Sequence, residues 1–178
     1  MSIFPKYMNE TVKLTPIQEV FASKLLRPIN FFLFTLRHLP IANLAGLKLV
    51  TLTGNQCQTT IPYKFLNKNP FQSTYFAVQS MAAEASTAAL AMVALRRHTE
   101  SIAFIIVDLK ATFSKKITSK VTFSCYDGVK FAEGLENLIQ TKQPVEITAK
   151  TIGRIVDGTE VATFHFTWSF KIREEQTP

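Results

Sequence analysis

Residues 69–97, NPFQSTYFAVQSMAAEASTAALAMVALRR, constrain the fold more than any other part of the chain. The stretch holds no Pro after Pro70 and no Gly, and Ala, Met, Leu and Val dominate it. Helix is therefore its natural conformation from about Ser73 onward. Apolar residues run almost all the way round until Arg96, Arg97 and His98, basic side chains that suit a helix C-terminus. A helix apolar on every side is enclosed rather than docked on one face. Ala77, Ala82, Ala83, Ala85, Ala88, Ala89, Ala91 and Ala94 let other backbone come close, as a sheet curled round the helix requires.

One carboxyl group interrupts this apolar cylinder, that of Glu84. Helical spacing places Ser73, Ala77, Ser80, Thr87 and Ala91 on its side. An unpartnered charge is costly to bury, so Glu84 is paired, protonated, or open to a cavity. A Glu satisfied by backbone or by an Arg, and a perturbed functional carboxyl, both fit the sequence.

The chain has 178 residues, 47% of them apolar, enough for one well-buried domain. A formal charge of +7 favours an anionic partner: nucleic acid, a membrane surface or a phosphate-bearing small molecule. The basic residues are scattered, with short pairs only at Arg96/Arg97 and Lys115/Lys116. With no basic helix face and no binding motif, nucleic acid is not the expected partner. Cys57 and Cys125, far apart in strand-like contexts, could be buried thiols as easily as anything else, and a reactive or metal-bound role is not expected. His38, His98 and His165 lie in unrelated segments without ligand spacing, so no metal is expected. The opening MSIFPKYMNETVK lacks a leader-like apolar core, and no run approaches the roughly 20 apolar residues of a membrane span. A soluble cytoplasmic protein follows as the default expectation.

Along the chain, Thr15-Pro16 opens a helix to about Leu26, and Pro28 restarts one that Pro40 stops after about Leu39. Phe31, Phe32, Phe34 and Leu36 of the second helix could rest on the domain, on a second subunit or on lipid. Packing is the favoured reading, because Arg27, Arg37 and the proline break spoil a long amphipathic face. LKLVTLT and QCQTTIP flank Gly54-Asn55 and read as an antiparallel pair at about 47–53 and 56–62. Asn67, Asn69 and Pro70 turn the chain into the central helix. After it, IAFIIVDLKATF and ITSKVTFSCY make strands across a polar turn at 114–116. VKFAEGLENLIQ fits a short helix, or one interrupted at Gly134. PVEITAKTIGRIV and TEVATFHFTWSFKI straddle Asp157-Gly158, with Phe164, Phe166, Trp168, Phe170 and Ile172 on one face of the last strand. The pattern predicts an α+β domain, residues 1–45 a helical extension and 46–173 a core whose curved antiparallel sheet wraps the long helix.

This arrangement resembles the hotdog fold, and residues 69–84 make the resemblance specific. Hotdog thioesterases of the PaaI-like group enter their central helix through Asn-x5-His-Gly-Gly-x6-Asp. Here Asn69, Tyr75-Phe76-Ala77 and Glu84 stand at the same spacing without a gap. The texture NPFQSTYFAVQSMAAE, with helices before the first hairpin, is similar to a branch long labelled a domain of unknown function. The likeness covers roughly residues 40–172.

The resemblance implies a thioester hydrolase acting on acyl-CoA or a similar carrier. Glu84 would be base or nucleophile, Asn69 would orient water or carbonyl, and the Phe76 and Ala77 amides would polarise the carbonyl oxygen. A helix N-terminus supplies such orphan donors. Ser73, Ser80 and Thr87 are further substrate-side candidates, and Tyr75 could donate to the carbonyl. Tyr75 replaces the histidine and Phe76 and Ala77 the glycines, so a hotdog protein that binds a fatty acyl or other apolar ligand without hydrolysis stays open as the alternative. The family habit of pairing sheets implies a homodimer or dimer of dimers with the ligand between subunits. Coenzyme A would come only as part of the substrate, its phosphates held by basic residues among Lys64, Lys68, Arg96, Arg97, Lys115 and Lys116.

Overall fold

The structure is a computed structural model describing residues 11–173. The expectations about the opening MSIFPKYMNE therefore lie outside the described residues. Helix α1 (Pro16–Leu26) starts as the sequence predicts: Thr15 and Gln18 form a reciprocal capping box, with Pro16 in the first turn. Helix α2 (Pro28–His38) follows after the single extended residue Arg27. Pro40 does not end the helical region but opens a third helix, α3 (Pro40–Ala45), closed by Gly46 at φ 80°. The same residue type stops one helix and seeds the next, and the sequence reading took only the first meaning.

Strands β1 (Lys48–Leu52) and β2 (Cys57–Ile61) form the expected hairpin across Gly54-Asn55. The central helix α4 (Phe76–Leu95) begins three residues later than Ser73, the expected start. Tertiary bonding claims those residues: Gln72 takes a left-handed φ of 57°, and the Thr74 amide donates to the Ile117 carbonyl at 2.8 Å. β3 (Ile102–Phe113), β4 (Val121–Cys125), α5 (Gly128–Thr141), β5 (Val145–Ile155) and β6 (Glu160–Ile172) complete the chain. α5 runs unbroken through Gly134, where a Cβ would strike Ile147 at 2.5 Å, so that glycine marks close helix-to-strand packing and not an interruption.

The six strands form one antiparallel sheet in the order β1-β2-β4-β5-β6-β3, with α4 and α5 packed on it. This is the α+β hotdog arrangement. Phe164, Phe166, Trp168 and Phe170 of β6 are all buried, as the alternation predicts. Each such ring contributes roughly 2–3 kcal/mol by leaving water. On the helix side α4 buries Ala82, Ala83 and Ala91, each at 0% exposure. Small hydroxyls tie helix to sheet: Thr59 Oγ1 donates to the Ala82 carbonyl at 2.6 Å, Ser86 Oγ meets Thr151 Oγ1 at 2.8 Å, and the Trp168 indole N–H donates to Thr87 Oγ1 at 3.1 Å.

The expectation that no segment approaches a membrane span is corrected by α4, whose 20 residues are long and apolar enough by length and composition. In the fold it is the helix that the sheet wraps. Cys57 and Cys125 face each other in register on β2 and β4, both fully buried free thiols whose pKa values burial pushes up.

Gly128 sits where the start of α5 crosses the first hairpin. A Cβ there would overlap the Gly54 carbonyl oxygen and press on the Asn55 Cα at 2.7 Å, backbone against backbone. Gly128→Ala is expected to cost about 3 kcal/mol or more, read as a lowered urea midpoint, whereas Gly158→Ala, with open space round its Cβ, loses only the left-handed preference of about 1 kcal/mol.

Candidate functional site

Glu84 lies on the side of α4 that borders α2 and the β3 and β6 side chains Phe104 and Trp168. Its carboxyl has no hydrogen bond or ion pair among the described residues. Burial pushes its pKa from the usual 4.5 up to about 7. Of the states the sequence left open, a paired carboxylate is not found among the described residues, and the side chain borders open space. A chamber of about 320 Å³ stands beside it, walled by Phe31, Phe34 and His38 of α2, Ala88 and Met92 of α4, Phe104 of β3 and Trp168 of β6. Apart from Glu84 and His38 this lining is almost wholly apolar.

The roof of the chamber is what the sequence reading missed. On α2 the positions 31, 34, 35 and 38 share one face by helical spacing. Phe31 and Phe34 pack inward against the core, and Thr35 is buried. Gln18, itself buried, donates from Nε2 to the Val93 carbonyl at 2.9 Å and ties α1 to the far end of α4. The expectation that the α2 aromatic cluster packs on the domain holds for Phe31 and Phe34. It fails for Phe32 and Leu36, which are 48% and 53% exposed. The i, i+3, i+4, i+7 spacing of 31, 34, 35 and 38 was the signal that could have found the roof.

The remaining candidates divide among other places. Thr87 is buried and its hydroxyl is occupied, donating to the Glu84 carbonyl at 2.9 Å and accepting from Trp168. Ser80 donates back to the Phe76 carbonyl at 2.9 Å. Asn69 Oδ1 accepts from the Phe71 and Ser73 amides and the Ser73 hydroxyl, each at 3.1 Å, so it shapes the turn into α4. The Tyr75 amide donates to the Asn67 carbonyl at 2.8 Å, while the Phe76 and Ala77 amides have no acceptor among the described residues. The Tyr75 and Phe76 rings meet edge to face at 4.8 Å and stand half exposed at this helix mouth.

Asn69, Ser73 and Phe76 line a second hollow of about 340 Å³, shared with Lys115 and Lys116. It has no lining residue in common with the Glu84 chamber. Within one protomer, then, carboxyl and free amides are not brought together. Of the other basic candidates, Lys64 donates to the Leu44 carbonyl at 2.8 Å, and Lys68 lies 4.8 Å from the Tyr63 ring centre. Arg96 stacks on Phe21 beside Arg97 at the C-terminal end of α4, whose 20 residues span roughly 30 Å. His38, His98 and His165 lie on separate elements, and no group of three His, Cys, Asp or Glu suited to a metal occurs among the described residues.

Three solved structures show what this architecture is similar to. A putative thioesterase from Shewanella oneidensis superposes with a TM-score of 0.66 at 10% identity, over 84% of this chain and 99% of its own. A Pseudomonas aeruginosa protein described as of unknown function and a probable thioesterase gives 0.68 at 14% identity, over 82% and 97%. A thioesterase from Haemophilus influenzae gives 0.61 at 13% identity, over 84% and 94%. At such identities the likeness is one of fold. No family model matches the chain, and no curated protein matches it in sequence.

The raised pKa has a stability consequence whose sign is fixed. The folded value, about 7, exceeds the ordinary 4.5, so the folded state holds the proton more tightly. The associated stability is fully present below about pH 4.5 and is lost as pH rises through about 7. Glu84→Gln removes that loss. The variant is expected to exceed the natural protein in stability at about pH 8 by on the order of 2 kcal/mol, and to match it more closely near pH 5, read from urea unfolding at the two pH values.

Proposed function

We propose that this chain hydrolyses acyl thioesters, with coenzyme A the carrier and Glu84 the group that activates water or attacks the carbonyl. One observation carries the reading: an unpartnered carboxyl, raised to about 7, faces an apolar chamber of about 320 Å³. A general base works best when its pKa lies near the working pH. As base, Glu84 takes a proton from water while the water oxygen bonds to the thioester carbon. The negative charge passes to the carbonyl oxygen; as the C=O bond re-forms the C–S bond breaks, and the proton held by Glu84 goes to the sulfur, releasing the thiol and the carboxylic acid.

The free amides of Phe76 and Ala77 suit that oxygen, since a helix N-terminus stabilises developing negative charge. They lie some seven residues, roughly 10 Å, from Glu84 along the same helix and in a separate hollow. A second copy of the chain supplies the missing half in this reading. Support comes from β3, an edge strand with one neighbour and with Ile105, Val107, Leu109 and Phe113 about half exposed or more. Phe113 also lines the hollow that holds the Phe76 backbone, so a strand added at β3 borders it. Lys115 and Lys116 are the phosphate candidates this arrangement favours over Arg96 and Arg97, which lie at the wrong end. The almost wholly apolar lining of the hollow beside Glu84 suits an acyl chain.

The alternative, binding an apolar ligand without hydrolysis, draws on the Phe76 and Tyr75 rings standing where the resembling enzymes have small residues and a histidine. Thiol release from a panel of short to long acyl-CoAs separates the two. The natural chain is expected to release thiol at a rate that rises as pH passes about 7, and Glu84→Gln is expected to lose activity by 100-fold or more. Retained ligand binding with no thiol release from the natural protein would establish the binder instead. Ile105→Asp with Leu109→Asp, on the exposed edge, is expected to yield a folded monomer by light scattering that has lost thiol release. A dimer unaffected by this change would place the second copy elsewhere.

A further inference from the structure

The hydrolase reading uses the inner face of α2 and leaves its outer face unexplained. By helical spacing Ile29, Phe32, Leu33 and Leu36 form one stripe, and they are 64%, 48%, 55% and 53% exposed. On the adjoining α3, Ile41 and Leu44 are 73% and 63% exposed. Scattered apolar residues on a surface need no explanation, but a continuous stripe of large ones does.

The charge around this stripe is all of one sign. From Val20 to Ala83 the sequence contains no Asp or Glu, while it contains Lys24, Arg27, Arg37, Lys48, Lys64 and Lys68. Lys24, Arg27, Arg37 and Lys48 are exposed, with Arg27 just before α2 and Arg37 in its last turn. The nearest acidic residue toward the N-terminus is Glu19, in the first turn of α1. A bulky apolar stripe framed by basic side chains and free of acids is the composition of a helix that lies in a lipid interface. There the apolar side chains enter the acyl boundary and the cations meet anionic headgroups.

We propose that the outer face of α2, with α3, docks this protein on an anionic phospholipid surface. A second copy fits the face less well. In a two-fold interface the patch meets itself, so Arg27 and Arg37 would approach their own copies with no carboxylate between them. The edge strand β3 already offers an apolar surface for self-association. Nucleic acid fits poorly too, since aliphatic side chains at the centre of the patch supply neither base-edge hydrogen bonds nor stacking. Docking would bring the lipid to one side of α2 while Phe31 and Phe34 on its other side roof the Glu84 chamber. The proposal stands on the surface alone and does not depend on hydrolysis.

The test is co-sedimentation of the full chain with vesicles of phosphatidylcholine alone or mixed with phosphatidylglycerol. Binding is expected to the anionic vesicles, to weaken as salt is raised, and to be at least tenfold weaker on neutral ones. Arg27→Ala with Arg37→Ala should lower partitioning about 25-fold, or about fivefold per cation. Phe32→Ser with Leu36→Ser should abolish it, while Val156→Ser, a loss of exposed apolar surface at the β5–β6 turn, should leave it unchanged. Thermal melts and far-ultraviolet dichroism check that the variants fold. Absence of binding to anionic vesicles, equal binding to neutral ones, or binding indifferent to both double variants would overturn the proposal. A native dimer that Phe32→Ser with Leu36→Ser converts to monomer, with no vesicle binding, would assign the face to a second copy.

Discussion

The close approach of α4 to the sheet is the contact on which the remainder of the structure depends. Ala82, Ala83 and Ala91 leave no bulky side chain in the way, so the sheet, β2 above all, comes close to the helix backbone. Hydroxyls then satisfy the polar groups this proximity traps: Thr59 on the Ala82 carbonyl, Ser86 on the Ala83 carbonyl, Thr87 between the Glu84 carbonyl and Trp168. Because the sheet takes one side of the helix and curls, the opposite side is left for something else. There the prolines of α1 and α2 set a roof, and a chamber remains between roof and helix.

Much of this architecture was legible in the chain. The Ala-rich run without Gly announced an enclosed helix, Gly54-Asn55 and Asp157-Gly158 marked two hairpins, and the alternation from Phe164 to Phe170 gave the buried face of β6. What escaped were features decided by tertiary contacts. The start of α4 moved because Thr74 bonds to Ile117, distant in sequence. Gly134 looked like a helix breaker until Ile147 appeared against it. Glu84 was recognisable as anomalous from its surroundings, yet whether it was paired could not be read without knowing which side of α4 the sheet occupies. The separation of the Phe76 amides from Glu84 into two hollows was equally hidden, since both follow from one continuous helical pattern.

Glu84 illustrates how a fold can hold an unfavourable group. A carboxyl set among Phe31, Ala88, Phe104 and Trp168 loses solvation without gaining a partner, and the protein tolerates it because the surrounding core is extensive. Sites of chemistry are where such locally adverse arrangements are retained, and stability elsewhere offsets them. Neutral Asn69, Ser73 and Ser80 do not play this part, because each spends its side chain on a hydrogen bond within its own segment.

The joint at Arg27 gives the molecule a division of labour. One extended residue between two proline-initiated helices links α1 to α2, and the roof meets the core mostly through side chains rather than shared strands. Residues on α2 can change size or polarity without disturbing the alanine contacts that let the sheet close. The same scaffold can thereby diversify its chamber through α2 while the helix-to-sheet contacts stay as they are, which makes that helix the place where evolution, or an engineer, would retune what the protein accepts.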